Sequence, residues 1–274
     1  MKGALNKKVG FIGVGNMAEA IISAIVKNGV PAKNVFISDI NNARLNYISK
    51  KYGIVKCSNN LSAVKFSDIV FLTVKPHQIT GVLEEIKDNF DADFCQHRLL
   101  ISVAAGIKTQ RIEKYLKKTA VIRVMPNTPA LIGSGAIALT PGRYAKKSDL
   151  QFVKKLLSSC GIVVDVTEKD MDAVTAVSGS GPAYIFYIAE IMRKTAEELG
   201  LKKDVAKKLV NQTLLGASKM LILSDEEPEN LRQKVTSKGG TTEAAFKVLM
   251  KKKFAKIFEQ AIITAVKKSK EISL

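Results

Sequence analysis

Cysteine and histidine are scarce in this 274-residue chain, and their scarcity narrows its chemistry. The three cysteines (Cys57, Cys95, Cys160) lie far apart, are odd in number and form no C-x-x-C pair. A disulfide framework and a zinc site are therefore not expected, and the thiols read as small apolar residues of a reducing compartment. Two histidines, His77 and His97, are too few for a metal cluster, so no metal is expected. No apolar run approaches the ~20 residues that a bilayer crossing needs. Residues 9–13, behind Lys2, Lys7 and Lys8, are too short for a signal-peptide core. The expected location is cytoplasmic, with no membrane partner. Internal repeats and low-complexity linkers are missing as well.

Acidic residues are also short: 25 Asp and Glu stand against 43 Lys and Arg, for a net charge of +18. Such a balance raises nucleic-acid binding. Yet the lysines are spread along the chain, and the densest groups, Lys251-Lys252-Lys253 and Lys267-Lys268, border an amphipathic helix as its solvated face. Without an aromatic-rich strand for base stacking, no nucleic-acid partner is expected. Steering of small anionic ligands is use enough for the field.

What is present is a soluble globular composition, 46% hydrophobic, long enough for one large domain or two moderate ones. The organising stretch is Val9-Gly10-Phe11-Ile12-Gly13-Val14-Gly15-Asn16-Met17-Ala18. A continuous apolar run ending in G-x-G and followed by helical spacing (Ile21, Ile22, Ile25, Val26) reads as a buried parallel strand turning into a helix. Gly13 permits the tight turn, Gly15 lets a pyrophosphate reach the backbone, and the helix supplies free N–H groups and its positive dipole end. Asp39, closing a second apolar run, stands about 20 residues beyond the turn, where a ribose-binding acid is expected. Together these features predict a dinucleotide site.

Through about residue 166 apolar runs alternate with helical patterns. Strands are expected at 9–13, 34–39, 54–57, 68–74, 99–104, 120–125 and 161–166, with a weaker one near 136–140. Helices are expected around 16–28, 42–52, 79–88 and 109–118. This alternation predicts an α/β fold, a Rossmann-type doubly wound, mostly parallel sheet over residues 1–167, with its crevice at the carboxyl ends of the strands. From 168 to 274 only helical periodicity remains, at 184–199, 203–223 and 254–266, with shorter helices at 170–177 and from Thr241 or Thr242. Ser178-Gly179-Ser180-Gly181-Pro182 reads as a break, with Pro182 in the first turn of the next helix. Long apolar faces without a sheet of their own suit a homodimer; a helical lid on a monomer is the alternative. Near the end, Ser237-Lys238-Gly239-Gly240-Thr241-Thr242 precedes a helix. It reads either as a carboxylate cradle or as a loop with an N-cap.

Six motifs in order, Phe11-Ile12-Gly13-Val14-Gly15-Asn16-Met17, Val74-Lys75-Pro76, Ala104-Ala105-Gly106, Met125-Pro126-Asn127-Thr128-Pro129, Ser178-Gly179-Ser180-Gly181-Pro182-Ala183-Tyr184 and Gly239-Gly240-Thr241-Thr242, cover nearly the whole chain. The set resembles pyrroline-5-carboxylate reductase. The resemblance implies reduction of the cyclic imine 1-pyrroline-5-carboxylate to L-proline by NAD(P)H, the last step of proline biosynthesis. It also implies an N-terminal Rossmann domain and a helical domain that forms homodimers or larger assemblies of dimers. Residue by residue, Gly13, Val14, Gly15, Asn16 and Met17 would hold the pyrophosphate, and Ser38, Asp39, Asn41 and Arg44 would surround the adenosine ribose. Asn60 would contact the cofactor, while Val74, Lys75, Pro76, Ala104, Ala105 and Gly106 would line the nicotinamide end. Ser237, Gly239, Gly240, Thr241 and Thr242 would hold the substrate carboxylate, with the Thr242 hydroxyl, the catalytic candidate, near the ring nitrogen. Lys238 departs from the family, which usually has proline there.

Asp39 favours the free ribose hydroxyls of NADH, whereas Arg44, the basic surface and the family's habit favour NADPH, which is slightly preferred. Two rivals remain. A β-hydroxyacid dehydrogenase, or another imine reductase, would share the two-domain plan. The dehydrogenase would need G-x-G-x-x-x-K-x-x-N, but Ile185 and Ile188 occupy the lysine and asparagine places counted from Gly179. Lys208 and Asn211 have the spacing but lie a helix too late and read as surface. A nucleotide-sensing regulator without turnover would bind the cofactor and oxidise none. His77 reads as a solvent-facing loop residue, and Asp225, Glu226 and Glu227 as a solvated loop.

Overall fold

The computed structural model describes residues 6–272. Eight strands, β1 (Val9–Ile12), β2 (Val35–Ser38), β3 (Val55–Lys56), β4 (Ile69–Leu72), β5 (Leu99–Ser102), β6 (Ala120–Met125), β7 (Gly135–Pro141) and β8 (Gly161–Asp165), form one sheet. Their order is β3-β2-β1-β4-β5-β6-β7-β8. Every pairing is parallel except β6 with β7. That exception follows from the connection: the chain returns from Met125 to Gly135 through the short turn Thr128–Ile132. A parallel return needs a crossover of a dozen or more residues.

The connecting helices are α1 (Asn16–Lys27), α2 (Asn42–Tyr52), α3 (Asn60–Lys65), α4 (Ile79–Asn89), α5 (Ala92–Gln96), α6 (Thr109–Tyr115) and α7 (Lys147–Leu157). The first, second, fourth and sixth coincide with the expected helical patterns; α3, α5 and α7 are additional. In α7 Val153, Leu156 and Leu157 are buried, with Leu150 and Phe152 packed half-buried beside them, and this short stripe is interrupted by lysines in the one-dimensional pattern.

Strand residues alternate between two cores. Phe11, Ile69 and Phe71 join Ile21, Ile22, Ile25, Ile48 and Leu157 on one face. Ile12, Val70 and Leu72 join Ile79, Leu83, Ile86 and Ile112 on the other. Phe11 and Phe71 stack across β1 and β4 with centroids 4.6 Å apart. Each large side chain so buried contributes about 1.5–3 kcal/mol. Both β1 and β4, whose ends frame the site, are thus buried on the two faces of the sheet.

Beyond β8 the chain is helical: α8 (Met171–Val174), a wider π-type turn over Thr175–Gly179, then α9 (Gly181–Glu198), α10 (Lys203–Leu223), α11 (Pro228–Lys234), α12 (Thr241–Lys251) and α13 (Phe254–Ile272). The π-type turn is closed by Ser180 N–H to the Thr175 carbonyl at 2.8 Å, and Pro182 sits in the first turn of α9. The chain divides into two compact units: one runs to Ser180 and resumes at Ala265, the other is Gly181–Thr264. In the second unit Ala206 and Val210 are buried, but many larger apolar side chains stay uncovered. Among the described residues α9 and α12 bury none, and Ile222 and Leu223 of α10 are 80% and 83% exposed.

Candidate active site

In a doubly wound sheet ligands bind where the strand order reverses, outside the carboxyl ends. Here the chain builds β2 and β3 on one side of β1, then returns to lay β4 on its other side. The ends of β1 and β4 bound a cleft of about 320 Å³ lined by Gly13, Gly15, Asp39, Asn41, Asn60, Thr73, Val74, Lys75 and Gln78, with Ile40 and Val82 at its apolar edge.

The glycine turn is built to close tolerance. Gly13 has φ +90°, and a Cβ there would lie 3.0 Å from the Val74 nitrogen and Cγ1. Its N–H donates to the Ser38 carbonyl at 2.8 Å, tying the turn to β2. Thr73 ties it to β4: its hydroxyl contacts the Ile12 carbonyl at 2.9 Å and the Gly13 carbonyl at 2.6 Å. Gly15, by contrast, faces open space, with no heavy atom within 4 Å of an added Cβ. It is the N-cap of α1 and provides no side-chain cap, leaving the helix's first N–H groups for an external acceptor. Open space beside the uncapped start of a helix fits a dinucleotide pyrophosphate.

Asp39 is joined to this turn. Its Oδ2 accepts the Val14 N–H at 2.6 Å and its Oδ1 the Asn41 N–H at 2.7 Å. Asn41 in turn caps α2, accepting the Arg44 N–H at 3.0 Å. The Arg44 Nε donates to the Val14 carbonyl at 2.8 Å and one terminal nitrogen to Glu19 at 2.5 Å. Ser38 is buried; its hydroxyl donates to Asn60 Oδ1 at 2.8 Å, and the Asn60 amide donates to Glu85 at 2.8 Å. Ser38 thus supports Asn60, which lines the cleft.

After β4, Lys75 N–H donates to Gln78 Oε1 at 3.1 Å, forming the turn that carries Pro76. His77 is exposed and does not line the cleft. After β5, Ala104 is buried and Gly106 has φ +79° against Ile272 of α13, whose Cγ2 would be 2.8 Å from an added Cβ. The β6 loop is anchored by Asn127: its amide donates to the Ser178 carbonyl at 3.1 Å and its oxygen accepts the Ala136 N–H at 2.9 Å.

In the second unit the glycine loop has its own geometry. Gly239 has φ +74° and its N–H donates to Glu243 Oε2 at 2.8 Å; the Gly240 N–H donates to the Ser237 carbonyl at 3.0 Å. Both glycine N–H groups are thus engaged within the loop. The uncapped start of α12 leaves the Thr241 and Thr242 N–H groups and hydroxyls for an anion, and Lys238 is exposed.

Sequence reasoning missed Glu19, Thr73, Gln78 and Glu85. Glu19 had a signal: an acid within the apolar face Ala18, Ala20, Ile21, Ile22. The others are read only from tertiary contacts. For the β-hydroxyacid rival, Ile185 and Ile188 lie in α9 and bring no acid or base.

Fold and cleft define an oxidoreductase of the nicotinamide-dinucleotide class, and residues 8–106 match the family model described as NADP oxidoreductase coenzyme F420-dependent. Residues 168–272 match the model described as pyrroline-5-carboxylate reductase dimerisation. The pyrroline-5-carboxylate reductase 1 of Bacillus spizizenii is 41% identical over 270 residues, covering 97% of this chain and 90% of the relative. A solved pyrroline-5-carboxylate reductase from Coxiella burnetii superposes with TM-score 0.87 at 37% identity, covering 98% of this chain and 99% of that one. The Plasmodium falciparum pyrroline carboxylate reductase, solved with NADP bound, gives TM-score 0.87 at 30% identity over 98% of this chain and 99% of its own. The chain belongs to the pyrroline-5-carboxylate reductase family. Its cofactor is NAD(P)H, the dimerisation region marks a homo-oligomer, and among the described residues no helix is long and apolar enough to cross a membrane.

Proposed function

We propose that this protein reduces 1-pyrroline-5-carboxylate to L-proline, closing proline biosynthesis, as a cytoplasmic homodimer or an assembly of such dimers. The observation that carries the reading is the cleft at the ends of β1 and β4, where Gly15 leaves room for a pyrophosphate above the start of α1. Residues 1–167 serve the dinucleotide, and residues 168–274 serve dimerisation and the substrate. The uncovered apolar faces of α9 and α10 support the dimer, and three buried, unpaired cysteines suit a reducing compartment. The net charge of +18 steers a dinucleotide and a carboxylate toward the protein.

When bound, the reduced nicotinamide supplies a hydride to C5 of the protonated imine, giving the saturated ring of proline. A protonated imine is already an electrophile, so the chain's own work is orientation and charge placement. Gly13, Val14, Gly15, Asn16 and Met17 hold the pyrophosphate; Ser38, Asp39, Asn41 and Arg44 frame the adenosine ribose. Asn60, Val74, Lys75, Pro76, Ala104, Ala105 and Gly106 line the rest of the cofactor. Ser237, Gly239, Gly240, Thr241 and Thr242 form the carboxylate loop, where the N–H groups opening α12 are the donors that remain unspent. The Thr242 hydroxyl, directly or through a water, hydrogen-bonds the ring nitrogen.

The test is the loss of nicotinamide absorbance when pyrroline carboxylate is added to protein and NADH or NADPH. Proline-forming turnover is expected. Cofactor binding without oxidation would leave a nucleotide-sensing regulator instead.

A further inference from the structure

Glu19 is a carboxylate on the packed side of α1, only 9% exposed, and it is shared by two cations. Its Oε2 accepts Arg44 at 2.5 Å, while Oε1 accepts the Lys51 ammonium at 2.7 Å and the Tyr52 hydroxyl at 3.2 Å. The Arg44 guanidinium is also held by the Val14 carbonyl, so it lies against the same turn that Asp39 grips through the Val14 N–H. A phosphate on the 2′ position of the adenosine ribose needs a cation with free donors, and a guanidinium is the side chain best shaped for it. Here that guanidinium is already paired with one carboxylate, Glu19, and it grips the Val14 peptide by its carbonyl while Asp39 grips the Val14 N–H.

We propose that Glu19 is the positioning residue that sets the choice between NADH and NADPH, by engaging the Arg44 guanidinium that a 2′-phosphate would otherwise recruit. The inference rests on reading the cleft beside Gly13 and Gly15 as the dinucleotide site. Glu19 touches neither cofactor nor substrate; it acts through Arg44. Asp39 accepts a free 2′ hydroxyl and repels a phosphate there. With Arg44 tied back, the balance at the ribose is set by Asp39; with Arg44 released, it moves toward the phosphorylated cofactor.

The experiment measures dissociation constants of NADH and NADPH by fluorescence titration, without substrate, for the full-length protein and four variants. Glu19→Gln keeps the shape and one acceptor but removes the charge. It is expected to raise the NADPH-to-NADH affinity ratio about fivefold or more. Arg44→Met alone is expected to leave the ratio within about twofold, since the Glu19 carboxylate already offsets the guanidinium charge, and the double variant to cancel the rise. Lys51→Met, which disturbs the same cluster but leaves Arg44 paired, is expected to produce no rise. An unchanged ratio in Glu19→Gln overturns the proposal, as does a matching rise in Lys51→Met. A selective loss of NADPH binding in Arg44→Met does the same, and that arm decides alone if the Glu19 variant does not fold. Failure of the unaltered protein to bind either cofactor would sink the underlying dinucleotide reading instead.

Discussion

The Asp39 carboxylate closes the glycine turn from the neighbouring strand: Oδ2 accepts the Val14 N–H at 2.6 Å while Oδ1 accepts the Asn41 N–H at 2.7 Å. One side chain therefore braces the glycine turn and lines the cleft, at the edge proposed for the ribose. Replacing Asp39 by Asn turns one charged acceptor into a donor facing the Val14 N–H. NADH affinity is expected to fall about tenfold, consistent with the loss of a charged hydrogen bond. Calorimetric titration of NADH checks this, and an unchanged affinity would remove Asp39 from the site.

Gly13 is confined by two independent constraints, a φ of +90° and the backbone of Val74 at 3.0 Å from any added Cβ. Gly13→Ala is expected to lower unfolding stability by about 2–4 kcal/mol, combining backbone strain with overpacking. A urea transition displaced by less than a quarter of that would show that the turn relaxes freely.

Thr242 carries the catalytic proposal. Thr242→Val removes the hydroxyl at nearly constant volume and is expected to lower kcat/KM about tenfold or more, while Thr242→Ser retains most of it. Wild-type kcat/KM in the valine variant rules the hydroxyl out.

Burial pushes the Glu19 carboxyl upward, but hydrogen bonds from Lys51 and Arg44 outweigh it and hold the group below its ordinary value of 4.5. A depressed carboxylate contributes stability that is complete above the unfolded value and is lost as pH falls through the folded one. The stability gap between the unaltered protein and Glu19→Gln is thus expected to be full near neutrality and to shrink on acidification below about pH 4.5. Urea melts across that range measure it; a gap independent of pH would assign the loss to packing.

Burial raises all three thiols, Cys160 to about 11. Thiolate is the reactive form, so the folded protein is expected to resist a disulfide reagent at pH 8 and to release three equivalents only on unfolding. Rapid labelling of any one of them in the native state would contradict its burial.

Much of this was legible in the chain itself, because each piece rested on local chemistry. The run ending in Gly13 and Gly15 forms the strand and turn it spells, and the apolar runs around 35–38, 69–72 and 99–102 lie in the sheet where a doubly wound pattern puts them. The weak signal near 136–140 is also a strand, and its short return path makes it antiparallel, a matter of loop length and not of strand composition. What stayed hidden was coupling between distant residues. Thr73 clamps Ile12 and Gly13 from some sixty positions away, and Glu19 meets Arg44 and Lys51 only once α1 and α2 are packed. Periodicity reports which face of an element is apolar; it carries no record of which polar groups meet across elements.

The two glycines of the turn answer to different masters. Gly13 is demanded by the fold, whereas Gly15 opens onto empty space and nothing among the described residues requires it to lack a side chain. A single methyl at Gly15 should therefore yield a well-folded protein that is blind to its cofactor, a reagent in which assembly of the subunits can be studied apart from turnover.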